Sequence, residues 1–169
     1  MQECNPTSIP TEPRLQLSND TNEDDIDPAQ YRRLIGSLRY ICHTRPDLAY
    51  NIGMVNRFMH TPKVSHLAKT KRLIRYLKGT LDYGILFPKA GEGKECNLMG
   101  YTDSSWCSDV DDKKSTDGYL FMLGGASVAW GSRKEPIVAL SLCEIEYIVS
   151  SLYACQETWI VNLIEDARP

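Results

Sequence analysis

The sequence predicts a mixed α/β (α+β) fold in which helices come first and three strands with one long helix follow. Apolar residues recur at helical spacing between residues 28 and 79. After Gly79 this period gives way to short apolar runs separated by turn residues, and helical spacing returns from Cys143 to Asp166. With 169 residues, of which 42% are apolar and 24% charged, the chain can bury a core.

The first half is predicted to form three helices. Asp27 is a candidate N-cap for the first helix, with Pro28 at its first position. The second helix follows "RPD", and the third is capped by Ser65 and ends at Gly79. The apolar stripes are Tyr31, Leu34, Ile35, Leu38 and Ile41 in the first helix, Ala49, Ile52, Val55 and Met59 in the second, and Leu67, Ile74 and Leu77 in the third.

The second half is predicted to form a small sheet and a helix. "CNLMGYTDSSW" is typical of a strand, and "GEGKE" before it and "DDKKSTDG" after it of turns. "YLFMLGG" and "ASVAWGSRK" then predict a hairpin. The long helix is predicted from Cys143 to Asp166, with Ile145, Ile148, Val149, Leu152, Trp159, Ile160, Leu163 and Ile164 at intervals of three and four.

Charge is distributed unevenly along the chain. Residues 1–27 carry a net charge of −6, residues 28–80 carry +10, and residues 81–169 carry −7, within a total of −3. The positive block repels itself unless negative charge lies nearby. Either the acidic parts of the same chain or a nucleic-acid backbone could supply that charge.

The third predicted helix carries a row of cations that fits a nucleic-acid backbone. Lys71, Arg75 and Lys78 recur at helical spacing, and Arg72 is adjacent. An ordinary solvated helix face is the alternative interpretation. The candidate nucleic-acid-binding residues, called the basic row below, are Lys69, Lys71, Arg72, Arg75 and Lys78.

The N-terminal sequence lacks the features of a secretory leader. "MQECNPTSIPTEP" has neither a basic beginning nor an apolar core, and the chain has no run of 18 apolar residues. We therefore expect an intracellular protein, cytoplasmic or nuclear, with no signal peptide and no membrane partner. The six cysteines include no C-x-x-C pair, so we expect reduced, mostly buried thiols.

An aspartate within a predicted strand and a glutamate at the start of a predicted helix raise the question of metal chemistry. Phosphodiester hydrolysis with Mg²⁺ requires several carboxylates that converge on the ions. Asp103 in "GYTDSSW" and Glu146 in "CEIEYI" are residues of the right type. A turn-forming aspartate and a glutamate that favours the helix dipole are the alternatives.

Long stretches of the sequence resemble one family. "YRRLIGSLRYICHTRPDLAYNIGMVNRFM", "AKTKRLIRYLKGTLDYGI", "MGYTDSSW", "DDKKSTDGYLFMLGG", "VAWGSRKEPIVALS" and "CEIEYI" are similar, in this order, to the C-terminal part of copia-type retrotransposon Pol polyproteins. The resemblance covers almost the whole chain. It implies an acidic tail or linker (1–27), a helical, basic reverse transcriptase connection region (28–90) and the N-terminal part of a ribonuclease H-like domain (95–169).

The resemblance also implies roles for single residues. Asp103 matches the first catalytic aspartate of the family's ribonuclease H and Glu146 matches its helix glutamate, so both become candidate catalytic and Mg²⁺-binding residues. Glu144 fits a neighbouring position at the helix start. The implied partners are an RNA:DNA hybrid, or another nucleic acid, and the rest of the Pol polyprotein.

The family's two later catalytic aspartates are expected after the last residue of this sequence, and its polymerase aspartates before the first. The resemblance therefore implies an incomplete ribonuclease H-like fold that does not cleave hybrids alone. Stretches such as "SRKE" and "SLCE", where the family usually has "SKKQ" and "STTE", suggest a drifting copy. The alternative function is a non-catalytic, nucleic-acid-binding or protein-interaction (effector-like) protein derived from a retroelement.

Overall fold

The structure, a computed structural model, describes residues 4–12, 16–19, 21–89 and 97–167. The chain divides into two compact units, Met1–Gly84 (unit 1) and Ile85–Pro169 (unit 2). The elements are α1 (Pro28–Ile41), a 3-10 turn (Pro46–Leu48), α2 (Ala49–Asn56), α3 (Val64–Gly79), β1 (Leu98–Ser105), β2 (Thr116–Leu123), β3 (Ala126–Lys134) and α4 (Leu142–Asp166). The predicted mixed fold class is confirmed. The predicted domain limits at residues 27, 90 and 95 stay predictions.

Helices α1 to α3 enclose the core of unit 1. Helix α1 begins as predicted, because the Asp27 carboxylate accepts the Ala29 N–H at 2.9 Å and Pro28 occupies the first position. The Tyr31 hydroxyl donates to the Val55 carbonyl at 2.8 Å and so joins α1 to α2. The buried core residues are Leu17, Tyr31, Ile35, Leu38, Leu48, Ile52, Val55, Phe58, Leu73 and Tyr76.

Helix α3 corrects two predictions. It begins at Val64 with Lys63 as N-cap, instead of being capped by Ser65. Its first N–H groups are satisfied differently: His66 Nδ1 accepts from Lys63 at 3.0 Å, and the distant Glu23 carboxylate accepts from Ser65 at 2.7 Å. The fully buried residues are His66, Lys69, Thr70, Leu73 and Tyr76, whereas the predicted Leu67, Ile74 and Leu77 are only half-buried against the core.

Unit 2 contains a three-stranded antiparallel sheet in the order β1-β2-β3. The predicted hairpin is confirmed: Gly124 and Gly125 connect β2 to β3 with φ angles of 57° and 87°, which favour glycine. Strand β2 begins at Thr116, so the turn predicted over residues 111–118 is too long, since Thr116 already pairs with Ser105 and with Lys134. The predicted connector at residues 91–95 lies outside the described residues.

Helix α4 packs on one face of this sheet. Its N-cap is Ser141, whose hydroxyl accepts the Glu144 N–H at 3.1 Å. The core consists of Phe121, Ala139, Ile145, Val149, Tyr153 and Ile160. Trp159 and Leu163 belong to the predicted apolar pattern but are 58% and 52% exposed.

Two further predictions concern the cysteines and membranes. The expectation of mostly buried thiols is wrong for the five described cysteines: Cys143 and Cys155 are exposed because they lie on the outer side of α4, and the others are half-buried. Cys96 lies outside the described residues. Within the described part of the chain, no helix combines the length and apolar character needed to cross a bilayer.

Arg45 closes unit 1 between α2 and the end of α3. Its side chain is buried and makes two hydrogen bonds to the Asp47 carboxylate, at 2.9 and 2.7 Å. It also donates to the carbonyl and the hydroxyl of Thr80, at 2.9 and 2.8 Å. Its guanidinium carbon lies 5.7 Å from the ring centroid of Tyr76 and 5.5 Å from that of Tyr83. A planar cation with several donors is required for all of these contacts.

Replacing Arg45 therefore destabilises unit 1. We expect Arg45→Ala to lower its free energy of unfolding by about 3 kcal/mol, because Asp47 and the Thr80 carbonyl lose a shared partner. Arg45→Lys keeps the charge but not the fork, and should recover less than half of the loss. Amide hydrogen exchange in α1 to α3 is the measurement, since all three tryptophans lie in unit 2. A change within about 0.5 kcal/mol, as for ordinary surface substitutions, would contradict this role.

Candidate functional site

Asp103 is exposed near the end of β1, opposite Gly118 of β2. Side chains alternate between the faces of a strand. A Cβ at Gly100 would lie 2.7 Å from Phe121 Cε1, in the core formed with α4, so the even-numbered residues of β1 face α4. Asp103 therefore projects from the opposite face of the sheet.

Glu146 is exposed on the second turn of α4. The end of β1 and the beginning of α4 are joined by Trp106, whose Nε1 donates to the Ala139 carbonyl at 2.9 Å. This contact does not bring Asp103 and Glu146 onto one face, because Asp103 projects from the side of the sheet opposite α4. Glu144 acts locally instead, because its carboxylate accepts the Leu140 N–H at 2.6 Å and stabilises the start of the helix.

These carboxylates do not form a complete metal site by themselves. Among the described residues, no three or more His, Cys, Asp or Glu side chains are grouped so that they could hold a metal ion. Two carboxylates carry two negative charges, whereas a pair of Mg²⁺ ions carries four positive charges and requires more oxygen ligands. The donor set that unit 2 presents in its described part therefore does not fit the two-ion site of a nuclease.

The structure divides the predicted basic row of α3 into covered and exposed members. Lys69 is buried and donates to the Thr11 hydroxyl, and burial lowers the pKa of its ammonium. Arg72 forms an ion pair with Glu12 at 2.7 Å. Arg75 is half-buried, and Lys71 and Lys78 are exposed. The row is thus not one continuous solvated face, and its role in nucleic-acid binding stays a prediction.

A second cationic surface lies on α1. Its residues, called the α1 outer face below, are Arg32, Arg33, Gly36, Arg39 and Tyr40, and all five are exposed. Helix α1 contains no acidic residue, and among the described residues none of its three arginines forms an ion pair. Tyr40 is 79% exposed. The signal was present in the sequence, because this face is the complement of the predicted apolar stripe.

Comparisons with known proteins give a consistent result. The chain is 37% identical over 161 residues to the retrovirus-related Pol polyprotein from transposon RE1 of Arabidopsis thaliana, covering 95% of this chain and 11% of that protein. It is 34% identical over 174 residues to the Pol polyprotein from transposon TNT 1-94 of Nicotiana tabacum, covering 98% of this chain and 13% of that protein. The chain belongs to the Pol polyproteins of copia-type retrotransposons.

The relatives include a short protein as well. The secreted RxLR effector protein 161 of Plasmopara viticola is 40% identical over 131 residues, which cover 77% of this chain and 90% of that protein. By contrast, the chain spans only about a tenth of the length of the Pol polyproteins. No family model matches the chain, and no solved structure matches it.

This copia-type chain also contains a buried acid pair, Asp117 and Glu135, that sequence reasoning did not identify as a site. Asp117 Oδ2 accepts from Arg133 Nε at 3.1 Å and from the Tyr153 hydroxyl. Asp117 Oδ1 and Glu135 Oε1 are buried and have no hydrogen-bond partner among the described residues, although Glu135 Oε1 forms an ion pair with Arg133 Nη2 at 3.7 Å. Burial, followed by the negative charge of Asp117, raises the pKa of Glu135, and the charge of Arg133 only partly opposes this shift. A protonated Glu135 can donate to Asp117, whereas a charged one repels it.

This pair makes the stability of unit 2 depend on pH. A carboxyl whose folded-state pKa is raised stabilises the fold below its unfolded pKa, near 4.5, and this contribution is lost as pH rises through the folded pKa. The variant Glu135→Gln restores the residue of the family's "SKKQ" and keeps a donor at all pH values. We expect this variant to raise the free energy of unfolding of unit 2 by about 1 kcal/mol at pH 7. The stability of unit 2 should also no longer decline as the pH rises.

Tryptophan fluorescence during urea unfolding reports unit 2 directly, because Trp106, Trp130 and Trp159 all lie there. The matched control is Glu157→Gln, the same chemical change at an exposed position of α4. It should leave the pH dependence unchanged. Equal pH profiles for wild type and Glu135→Gln would show that Glu135 is not the titrating group.

Proposed function

We infer that this chain is the part of a copia-type reverse transcriptase and ribonuclease H polyprotein that binds the backbone of an RNA:DNA hybrid, without cutting the hybrid by itself. In this proposal, residues 28–90 correspond to the connection region and residues 95–169 to the start of the ribonuclease H domain. The observation that carries the proposal is the α1 outer face, where three arginines and a tyrosine remain exposed.

The chemistry of the α1 outer face suits a phosphate backbone. Arginine donates in a planar fork that matches phosphate oxygens, and unpaired arginines attract a polyanion strongly. Tyr40 adds an aromatic ring that can pack on sugars or on unpaired bases. No acidic residue of α1 opposes this attraction.

Gly36 provides a second argument from the same surface. A glycine inside a helix costs about 1 kcal/mol relative to alanine. Its usual compensation is a close contact with another part of the chain. Among the described residues, however, no heavy atom outside the neighbouring helix backbone lies within 4 Å of the position that its Cβ would take. Packing within unit 1 therefore does not require glycine here. A close approach of the α1 backbone to a ligand would favour glycine at this position.

The carboxylates at the other end of the chain define the limit of the proposal. Asp103 and Glu146 are the residues that we assign to Mg²⁺ binding in a polyprotein that supplies further carboxylates. On their own they are two exposed side chains without a third partner among the described residues. Hybrid binding without hydrolysis is therefore the activity proposed for this chain.

Removing the arginines tests the binding surface. We expect the combined change Arg32→Ala, Arg33→Ala and Arg39→Ala to weaken hybrid binding by at least tenfold. It should also reduce the slope of log affinity against log salt by about 2, since each lost phosphate contact contributes about 0.7–0.9. Fluorescence anisotropy with a labelled hybrid at several salt concentrations is the measurement.

The control keeps the charge at the same positions: Arg32→Lys, Arg33→Lys and Arg39→Lys should retain most of the salt slope while losing the forked contacts. All variants should remain folded, because the three side chains are exposed. If the alanine variant binds with wild-type affinity and slope, the α1 outer face is not the interface.

A cleavage assay tests the second part of the proposal. With a labelled RNA:DNA hybrid and Mg²⁺, we expect no cleavage above background from the wild type, from Asp103→Asn or from Glu146→Gln. Hybrid affinity should be the same for all three, because neither side chain belongs to the α1 outer face. Cleavage by the wild type that is lost in Asp103→Asn would contradict the proposal and would establish an active nuclease.

A protein-interaction role is the second candidate. The match to the secreted RxLR effector protein 161 favours this role, because the alignment covers 90% of that protein. In that case the carboxylates and the cations are incidental, and no variant of the α1 outer face changes hybrid affinity. The same anisotropy titration therefore separates the two candidates.

A further inference from the structure

The acidic N-terminal part of the chain lies along α3. The N-terminal segment, residues 4–12, 16–19 and 21–26, runs antiparallel to the helix. At the end of α3, Lys78 donates to the Cys4 carbonyl at 2.9 Å, and Thr7 N–H donates to the Arg75 carbonyl at 3.3 Å. Just before the start of α3, Ile26 N–H donates to the Pro62 carbonyl at 2.9 Å.

The segment neutralises Arg72 of the basic row and Lys63, which precedes α3. Glu12 pairs with Arg72 at 2.7 Å, and Asp25 pairs with Lys63 at 2.8 Å. In both pairs the cation is covered and the acid is not: the side chains of Arg72 and Lys63 are 18% and 17% exposed, those of Glu12 and Asp25 60% and 76%. The segment therefore occupies a position along α3 where a phosphate backbone could bind.

The segment satisfies these cations incompletely. The Nε atoms of Arg72 and Arg75 are buried and have no hydrogen-bond acceptor among the described residues. Buried donors without acceptors are unfavourable. A nucleic-acid backbone offers several charged oxygens for each arginine and would supply the missing acceptors.

We propose that the N-terminal segment is an intramolecular competitor of nucleic acid, which covers Lys63 and Arg72 until a phosphate backbone displaces it. This inference rests on the proposed binding of a hybrid by unit 1, and it adds a second, covered site to the open α1 outer face. The ion pairs that hold the segment are solvent-exposed on their acidic side, so each is weak and screened by salt. Leu17, which is buried in the core, keeps the segment attached when the pairs open.

The test compares two full-length variants that each lose two negative charges. Glu12→Gln with Asp25→Asn frees Arg72 and Lys63. Asp24→Asn with Asp82→Asn is the matched control, because both acids are exposed in unit 1 and neither forms an ion pair with a described residue. We expect the first variant to bind a labelled RNA:DNA hybrid about fivefold more tightly than the control. Its salt slope should be steeper by about 1.5, for two additional phosphate contacts.

Hydrogen exchange gives an independent readout of displacement. The Thr7 and Ile26 amides donate to carbonyls at the two ends of the contact, so saturating hybrid should increase their exchange rates in the wild type. Equal affinity and slope for the two acidic variants would overturn the inference, and so would unchanged exchange at both amides.

The outcomes also separate this inference from the proposed function. If the α1 alanine variant loses binding but the two acidic variants behave alike, only the competitor role fails. Absence of hybrid binding in the wild type and in every variant overturns both. Binding that appears only after the changes at Glu12 and Asp25 supports the competitor role but contradicts the open α1 outer face as the interface.

Discussion

Compensation of positive charge is the constraint on which unit 1 depends. Residues 28–80 carry a net charge of +10, and Asp47 is the one acid among them. The structure uses that acid inside the fold, where it fixes Arg45, Tyr76 and the end of α3. The strong hydrogen bond from Arg45 holds the pKa of Asp47 below its ordinary value. All other cations must find partners elsewhere, and the N-terminal segment supplies some of them along α3. The arginines of α1 are exposed to solvent, and their positive charge attracts a polyanion.

Unit 2 is organised differently. Its sheet is covered on one face by α4, and its charged residues pair mainly within loops and at strand ends. The carboxylates of Asp109 and Asp112 form ion pairs with Lys134 Nζ at 2.7 and 2.9 Å. These ion pairs hold the loop between β1 and β2 in place. The acid pair of Asp117 and Glu135 instead places like charges together under Arg133. Such a pair is unfavourable at neutral pH unless a proton is shared. Asp103 and Glu146 are exposed apart from this pair, and among the described residues no three carboxylates are grouped so that they could hold a metal ion.

The sequence predicted those features that depend on interactions between neighbouring residues. Asp27 with Pro28 determines a helix start from adjacent residues, and α1 begins as predicted. The apolar period predicted α4 from Cys143, and the helix begins one residue earlier, at Leu142. The predicted start of α3 was wrong because the Ser65 N–H donates to Glu23, which lies 42 residues earlier in the sequence. Burial of Lys69 beneath Thr11 and the bond between Tyr153 and Asp117 are equally non-local. The roles of Asp103 and Glu146 came from resemblance to a family, and no pattern of spacing alone distinguishes them from turn and cap residues.

In the proposed function, nucleic acid binds the α1 outer face and not the carboxylates of unit 2. Mapping amide chemical shifts by NMR during titration with an RNA:DNA hybrid tests it directly, since the chain has a mass of only 19.1 kDa. We expect large shifts from Arg32 to Tyr40, together with shifts of the Thr7 and Ile26 amides as the N-terminal segment is displaced. Shifts concentrated at the end of β1 and the first turns of α4, with α1 unchanged, would contradict it.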